Sequence, residues 1–310
     1  GIIRCVGNAH DRFSEDALRM MRAVRFAAEL GFTIEDNTRK AIKELSGNLS
    51  LISAERIRVE LEKLIVSNNP GMIRDAYELG ITGIVFPEFD AMMNTPQNSP
   101  YHCLNVGEHT IAVMENIEKD KVLRLAALLH DVGKIITTRQ EGLEWVSPGH
   151  ASKGALMARK VLWKEFGMCG TEELMRMRES VVALVKYHSF PPYALEKEEN
   201  VRRMVSIAAT SELVPDFSLR LLYLLSKADA LGRECEDKDD FVAQVDMFAE
   251  LAKENGCLDA PVSFASDLTR RAYFQGRDVW PQQELYDETW GEVVMMCGLP
   301  GTGKDYWISR

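Results

Sequence analysis

His130 and Asp131 stand side by side in Leu128-Leu129-His130-Asp131-Val132-Gly133-Lys134, at the end of a run from Val122 to Leu129 made almost wholly of core-forming residues. An imidazole and a carboxylate in such a setting need a compensating partner. For a mixed nitrogen and oxygen set that partner is most often a bound cation. The surrounding region supplies further ligands, since His102, His109, His150 and His188 all fall within it. Asp229 follows on a helix-like run, Ser226-Lys227-Ala228-Asp229-Ala230-Leu231-Gly232. A lone histidine is more often structural than a ligand, so the weight lies on the combined spacing of His109, the His130-Asp131 pair and the distant Asp229. His10 lies outside this region and reads as a surface residue.

Two further strings have chemical content. In Arg12-Phe13-Ser14-Glu15-Asp16-Ala17-Leu18-Arg19-Met20-Met21-Arg22-Ala23-Val24-Arg25-Phe26, the spacing alone gives Asp16 and Arg19 as an i,i+3 ion pair on a solvated helix face. Such a pair contributes only a few tenths of a kcal/mol. Near the other end, the β-like run Val293-Val294-Met295-Met296-Cys297 leads into Gly298-Leu299-Pro300-Gly301-Thr302-Gly303-Lys304-Asp305. A strand, a glycine-rich turn and a helical start form the context of a phosphate loop. Backbone N–H groups around Gly298, Gly301 and Gly303 would cradle phosphates while Lys304 reaches toward them. Asp305 stands where Ser or Thr ordinarily meets Mg²⁺.

The elements that must position these groups are mostly helices. Ser14 is the expected N-cap of a helix over 15–30, with Gly31 as its stop. On that helix Ala17, Met20, Met21, Val24, Ala27 and Ala28 share one face, and Glu15, Asp16, Arg19 and Arg22 another. Helical patterns follow at about 35–45, 54–66 and 72–79. Pro87 and the stretch 94–100 mark a boundary. The pattern is helical again from about 101 to 255, broken by a loop near 140–149 in which Glu144-Trp145-Val146 could form a short strand. Residues 234–240 read as a charged, flexible stretch.

The chain has 310 residues, a formal net charge of -10 and 46% hydrophobic content, ordinary for globular protein. No apolar run approaches the roughly 18 residues needed to span a bilayer, so no membrane association is expected. Six cysteines without a C-x-x-C pair point to a reduced, cytoplasmic protein. The acidic balance argues against general nucleic-acid stickiness, and residues 1–95 themselves hold slightly more carboxylates than cations. Any RNA contact must be local. Starting without methionine and stopping just past the glycine loop, the chain is expected to be a fragment of a longer protein.

From about 101 to 232 the H…HD…D pattern of His109, His130-Asp131 and Asp229 resembles the HD phosphohydrolase superfamily, including Asn105-Val106-Gly107-Glu108-His109-Thr110 and the trailing Ala228-Asp229. The resemblance implies that His109, His130, Asp131 and Asp229 hold one divalent cation (Mg²⁺, Mn²⁺, Ni²⁺ or similar). Such a cation acidifies a bound water and polarises a phosphoryl oxygen. His130, Asp131 and Lys134 are the implied catalytic groups, with Lys134 meeting a phosphate. His150 and His188 fit positions that in some HD proteins bind a second metal or the phosphate. His102 is open between site and structure.

The segment around Glu15-Asp16-x-x-Arg19, with Pro87-Glu88-Phe89 and a following HD region in order, resembles the neck and body of bacterial CCA-adding enzymes and poly(A) polymerases. There the Asp and Arg of the motif act as a protein template for the incoming base. By that resemblance Asp16 would accept from the exocyclic amine of cytosine or adenine and Arg19 would donate to the neighbouring ring acceptors, selecting CTP and ATP. Glu15, Arg22 and Arg25 are supporting or RNA-backbone candidates. The family's nucleotidyltransferase head, with its paired metal-binding aspartates, has no counterpart in this sequence and would lie upstream. The glycine loop resembles polynucleotide-kinase-like P-loop proteins.

The expected fold is therefore mainly α. A helical neck and body over 1–95 precedes an all-α HD domain over 96–255. A linker and the first β-strand and phosphate loop of a truncated α/β P-loop domain follow over 256–310. The expected function is that of a fragment of an enzyme, a tRNA CCA-adding or poly(A)-polymerase-like nucleotidyltransferase acting at a tRNA or other RNA 3′ end and carrying a metal-dependent phosphohydrolase. Two alternatives stand beside it. One is a free-standing HD metallophosphohydrolase acting on nucleotides or RNA 2′,3′-cyclic or 2′-phosphate ends. The other is a non-catalytic RNA-binding helical module.

Overall fold

The structure is a computed structural model that describes residues 1–97, 104–286, 295–298, 300, 301 and 303. It is mainly helical. A two-residue parallel pair, β1 (Ile2–Ile3) with β2 (Thr33–Ile34), brackets α1 (Ala9–Glu15) and α2 (Leu18–Leu30). There follow α3 (Asp36–Leu45), α4 (Ala54–Ile65), α5 (Ile73–Glu78), α6 (Thr82–Val85) and α7 (Pro87–Met93). The second stretch holds α8 (Val106–Glu115), α9 (Lys121–Leu129), α10 (Lys134–Thr137), an antiparallel hairpin of β3 (Arg139–Glu141) and β4 (Glu144–Val146), α11 (His150–Lys164) and α12 (Glu172–Tyr187). It closes with α13 (Glu199–Ala208), α14 (Leu219–Leu231) and α15 (Lys238–Glu254), and α16 (Asp267–Phe274) comes after. Residues Gly1–Val262 form one compact unit and Ser263–Arg310 another. No helix among the described residues is long and apolar enough to cross a membrane.

Local chemistry sets the helix starts. Asn105 accepts the Glu108 N–H at 2.8 Å and Asp120 the Leu123 N–H at 2.9 Å. Thr171 and Ser218 cap α12 and α14 in the same way. The first helical region departs from the expected single helix over 15–30. Ser14 is not an N-cap; it lies inside α1. The chain breaks at Asp16, which is extended (φ -149°, ψ 101°), and α2 restarts two residues later. Asp16 Oδ1 accepts the Leu18 N–H at 3.2 Å, so Asp supplies the acceptor at the helix entry that the sequence assigned to Ser. The expected apolar face of α2 (Ala17, Met20, Met21, Val24, Ala27 and Ala28) is buried, and Gly31 ends the helix in the left-handed region (φ 67°). The charged stretch 234–240 is helical from Lys238 onward.

The two helical stretches of the first unit share a core. The Phe86 ring meets Phe166 edge-on at 5.4 Å and Phe89 at 6.1 Å, all three fully buried. Truncating one such ring to alanine typically costs about 3–5 kcal/mol. Arginines stitch the same seam. Arg58 donates to the Phe166 and Gly167 carbonyls, and buried Arg124 donates to the Ile65 carbonyl at 3.0 Å. These bonds tie α4 to the helices that carry the histidines.

At the far end Val293, Val294, Leu299, Thr302 and Lys304 lie outside the described residues, as does His102. Met295–Gly298 has no regular secondary structure, so the expected strand is not formed in its described part. Gly301 and Gly303 both have positive φ (79° and 82°).

Candidate metal centre

His109 projects from α8, His130 and His188 sit just after the last residues of α9 and α12, His150 opens α11, and Asp229 lies on α14. The histidines share one device. His130 Nδ1 donates to the Ala127 carbonyl (2.8 Å), His150 Nδ1 to Ser147 (2.9 Å) and His188 Nδ1 to Val185 (2.8 Å), each three residues back. His109 Nδ1 reaches the Gly232 carbonyl at 3.3 Å. A carbonyl only accepts, so Nδ1 carries the proton in His130, His150 and His188, and Nε2 of all four rings is turned inward. Ligating histidines are held in this manner.

The inward atoms converge on Asp131. Its Oδ2 lies 3.2 Å from His130 Nε2 and 3.8 Å from His109 Nε2. Its Oδ1 lies 3.5 Å from His150 Nε2 and 3.7 Å from His188 Nε2. Asp229 Oδ1 meets His109 Nε2 at 3.0 Å. Ligand atoms of His109, His130 and Asp131 fall within 4.8 Å of one another, as do those of Asp131, His150 and His188. All six expected ligands and auxiliaries are thus brought together, with Asp131 common to both groups and Asp229 joined through His109. His130 Nε2 is buried without a hydrogen-bond partner, because its approach to Asp131 is not aligned for one. An inward lone pair facing carboxylates in an N₂O₂ set fits a divalent cation.

Glycines permit this closeness at two points. A Cβ on Gly133 would overlap the His150 carbonyl and the Gly154 backbone, so the turn after Asp131 can lie on α11 only without a side chain. A Cβ on Gly232 would press at 2.9–3.0 Å on Val113, holding the end of α14 off α8. Ser226 Oγ donates to the His188 carbonyl at 2.7 Å and fixes the end of α12 against α14. Lys134 is not free for a phosphate in this arrangement. Its Nζ lies 2.7 Å from Asp131 Oδ2 and donates to Gln97 Oε1 at 2.6 Å.

Burial raises both carboxyl pKa values but is outweighed, by Lys134 and His130 at Asp131 and by Arg233 and His109 at Asp229, so both end well below the usual range. Burial lowers His109 and His150, and takes His188 down to about 3. His130 feels the same burial, but the charge of Asp131 and its neighbours raises it. A cavity of about 690 Å³ opens onto the cluster, and its wall includes Trp145, Tyr193, Arg203 and Arg233. Sequence reading missed both arginines. Arg233 stands one helical turn past Asp229, a spacing that could have pointed to it, whereas Arg203 carries no such signal.

The Asp16–Arg19 pair does not form. Arg19 meets Glu15 at 2.9 Å and the Arg12 carbonyl at 3.1 Å, and Asp16 faces Arg56 at 3.3 Å. Both sit at the α1–α2 elbow, and Arg19 lines a cavity of about 240 Å³ together with Arg22 and Phe26. Arg22 is exposed, but Arg25 is buried against Glu29 (2.7 Å) and Glu60 (2.6 Å) with its guanidinium 3.8 Å over Phe26. The expected contact of Arg25 with RNA is therefore corrected: Arg25 is a core residue. His10 is half-exposed and pairs with Glu44 at 2.6 Å.

The titration pattern has a measurable consequence. Three neutral buried imidazoles resist protonation, whereas in the unfolded chain they take up protons below the ordinary value of 6.5. Acidification therefore favours unfolding. His130, with its raised value, contributes stability below 6.5 that is lost as pH rises through that value, but it is one group against three. We expect the melting temperature of the metal-free chain to fall between pH 7 and pH 5, and His188→Gln to flatten that slope. A melting temperature that rises on acidification would contradict the assignment.

Two family models match the chain, "Probable RNA and SrmB- binding site of polymerase A" over residues 31–93 and "HD domain" over residues 101–233. A Multifunctional CCA protein of Shewanella frigidimarina is 36% identical over 162 residues, covering 49% of this chain and 38% of that protein. A CCA-adding enzyme of Leuconostoc mesenteroides is 59% identical over 68 residues, 22% of this chain and 17% of the relative. The chain thus spans well under half the length of the curated relatives it matches. In fold it is similar to the crystal structure of the Bacillus stearothermophilus CCA-adding enzyme in complex with CTP, with a TM-score of 0.51 and 19% identity over 90% of this chain and 57% of that one. The chain thus carries a match to a polymerase A RNA-binding region followed by a match to an HD domain, and it is similar in sequence to parts of CCA-adding enzymes.

Proposed function

We propose that this chain is the neck, body and HD portion of a tRNA 3′-end nucleotidyltransferase of the CCA-adding type, and that its HD centre is a metal-dependent phosphohydrolase. The observation that carries the hydrolase reading is the set of inward Nε2 atoms around two buried carboxylates. His109, His130, Asp131 and Asp229 would hold one divalent cation, Mg²⁺, Mn²⁺, Ni²⁺ or similar, with His150 and His188 serving a second ion or the phosphate. A cation held there supplies Lewis acidity toward a phosphoryl oxygen and an acidified water. The protein's own part is positional. Lys134 orients Asp131, the backbone carbonyls lock the imidazoles, and the cavity admits the phosphate ester.

The division into a neck and body over 1–95, an HD domain over 96–255 and a linker with phosphate loop over 256–310 belongs to the same proposal. So do a cytoplasmic setting and an RNA 3′ end as partner. Free thiols at Cys5, Cys169, Cys235, Cys257 and Cys297 support the reducing compartment. Positive φ at Gly301 and Gly303 supports a glycine turn, and the ATP-binding reading of Gly298, Gly301, Gly303 and Lys304 rests on that turn and the sequence.

At the elbow, Asp16 and Arg19 are proposed to template the base of CTP or ATP, with Glu15 and Arg22 in support. The small cavity lined by Arg19, Arg22 and Phe26 favours this on the Arg19 side. Binding a base would require Arg19 to exchange Glu15, and Asp16 to exchange Arg56, for base edges.

Metal analysis tests the HD centre. The purified chain should carry a divalent transition metal, and Asp131→Ala should lower metal affinity by about 100-fold or more, abolishing any phosphatase or phosphodiesterase activity that chelators remove from wild type. Wild type without metal, or Asp131→Ala with undiminished metal, would sink the reading. For the elbow, Asp16→Ala in a full-length enzyme should erode discrimination for CTP and ATP against UTP and GTP. Unchanged selectivity would remove the template role.

A further inference from the structure

The wall of the HD cavity has a charge balance unlike that of the whole chain. It carries Asp131 and Asp229 against three permanent cations, Lys134, Arg203 and Arg233, in a protein whose net charge is -10. Lys134 is already engaged by Asp131 and Gln97. The two arginines share a different arrangement. The Arg203 guanidinium lies 4.9 Å over the Phe190 ring, and that of Arg233 lies 4.3 Å over Phe241. A guanidinium laid on a ring has its face occupied while its N–H donors radiate from the rim, the geometry that suits a phosphate. Arg233 Nη2 is 3.5 Å from Asp229 Oδ2, a loose approach, and Arg233 Nε is buried with no hydrogen-bond acceptor. A buried, charged donor left unpaired is costly, and a ligand oxygen would remove that cost. The volume of about 690 Å³ accommodates a ligand of nucleotide size.

We propose that Arg233 and Arg203, each shelved on a phenylalanine, form a phosphate-binding pair in this cavity, and that the ligand is a phosphate ester of nucleotide size held by its phosphoryl oxygens. The proposal deepens the phosphohydrolase reading and rests on it for the reaction, but the anion grip belongs to the arginines and persists without metal.

The test is calorimetric titration of the full chain with inorganic phosphate, both in chelator and after loading with Mn²⁺. Wild type should bind phosphate in both states. Arg233→Gln and Arg203→Ala should each weaken binding by about tenfold or more, as loss of a charge-assisted hydrogen bond implies, with manganese uptake unchanged. Arg203 is exposed and forms no ion pair with the candidate ligands in the structure, so Arg203→Ala decides the matter where Arg233→Gln fails to fold or loses metal. Phosphate affinity unchanged in Arg203→Ala, or no phosphate binding by wild type, would overturn the proposal. A chain that takes up no manganese but loses phosphate affinity in the variants would overturn the metal reading and leave this one standing. Competition by a mononucleotide against a short RNA with a terminal phosphate then separates the two sources of the ester.

Discussion

Both oxygens of Asp131 are claimed from opposite sides, and the rest of the site is arranged to make that tolerable. The carboxylate is almost wholly removed from water, with Lys134 and His130 beside one oxygen and His150 and His188 near the other. Burying an ion costs several kcal/mol even after relaxation, so a lone Asp131 would take up a proton or unfold its surroundings. Lys134 and His130 beside it hold the carboxyl pKa of Asp131 well below the usual range in the metal-free protein. His130 Nε2 is left without a hydrogen-bond partner, and a divalent cation would complete the set.

That constraint explains features of the fold that otherwise look unrelated. Residues from α8, α9, α11, α12 and α14 must bring Nε2 or carboxylate atoms within a few ångströms, which demands close backbone approach at Gly133–Gly154 and at Gly232. It also demands rings that cannot turn, and the backbone carbonyls that hold Nδ1 provide this. The helices before the HD match contribute stiffness. Arg124 on α9 reaches back to Ile65, and Arg58 on α4 reaches forward to Phe166 and Gly167, so the helix that ends in His130 is anchored on the segment that precedes the HD region. The same unit thereby links the elbow bearing Asp16 and Arg19 to the candidate metal centre.

What could be read from the sequence follows the range of the interactions. The buried face of α2, the stop at Gly31 and the placement of His130 at the end of an apolar helix are local consequences of periodicity and residue type, and they are present in the fold. The break at Asp16 was not visible, because Ser14 and Asp16 are both good helix-entry residues and only tertiary context chooses between them. Arg25 shows the same failure at longer range. Its charge suggested RNA, but its partner Glu60 lies on another helix and no spacing reveals that pairing. The convergence of His150 and His188 on Asp131 likewise needs the fold. Arg203 enters the cavity from α13, a helix on which no motif falls.

The proposed chemistry depends most on His109 and His130 binding a cation through Nε2 beside Asp131 and Asp229. X-ray absorption spectroscopy on the Co²⁺-loaded chain addresses this directly. Such binding predicts an oxygen and nitrogen shell with multiple scattering from two or more imidazoles and no sulfur, and loss of one imidazole contribution in His109→Ala. A shell of oxygen alone, a sulfur contribution, or a spectrum unchanged in His109→Ala would contradict it.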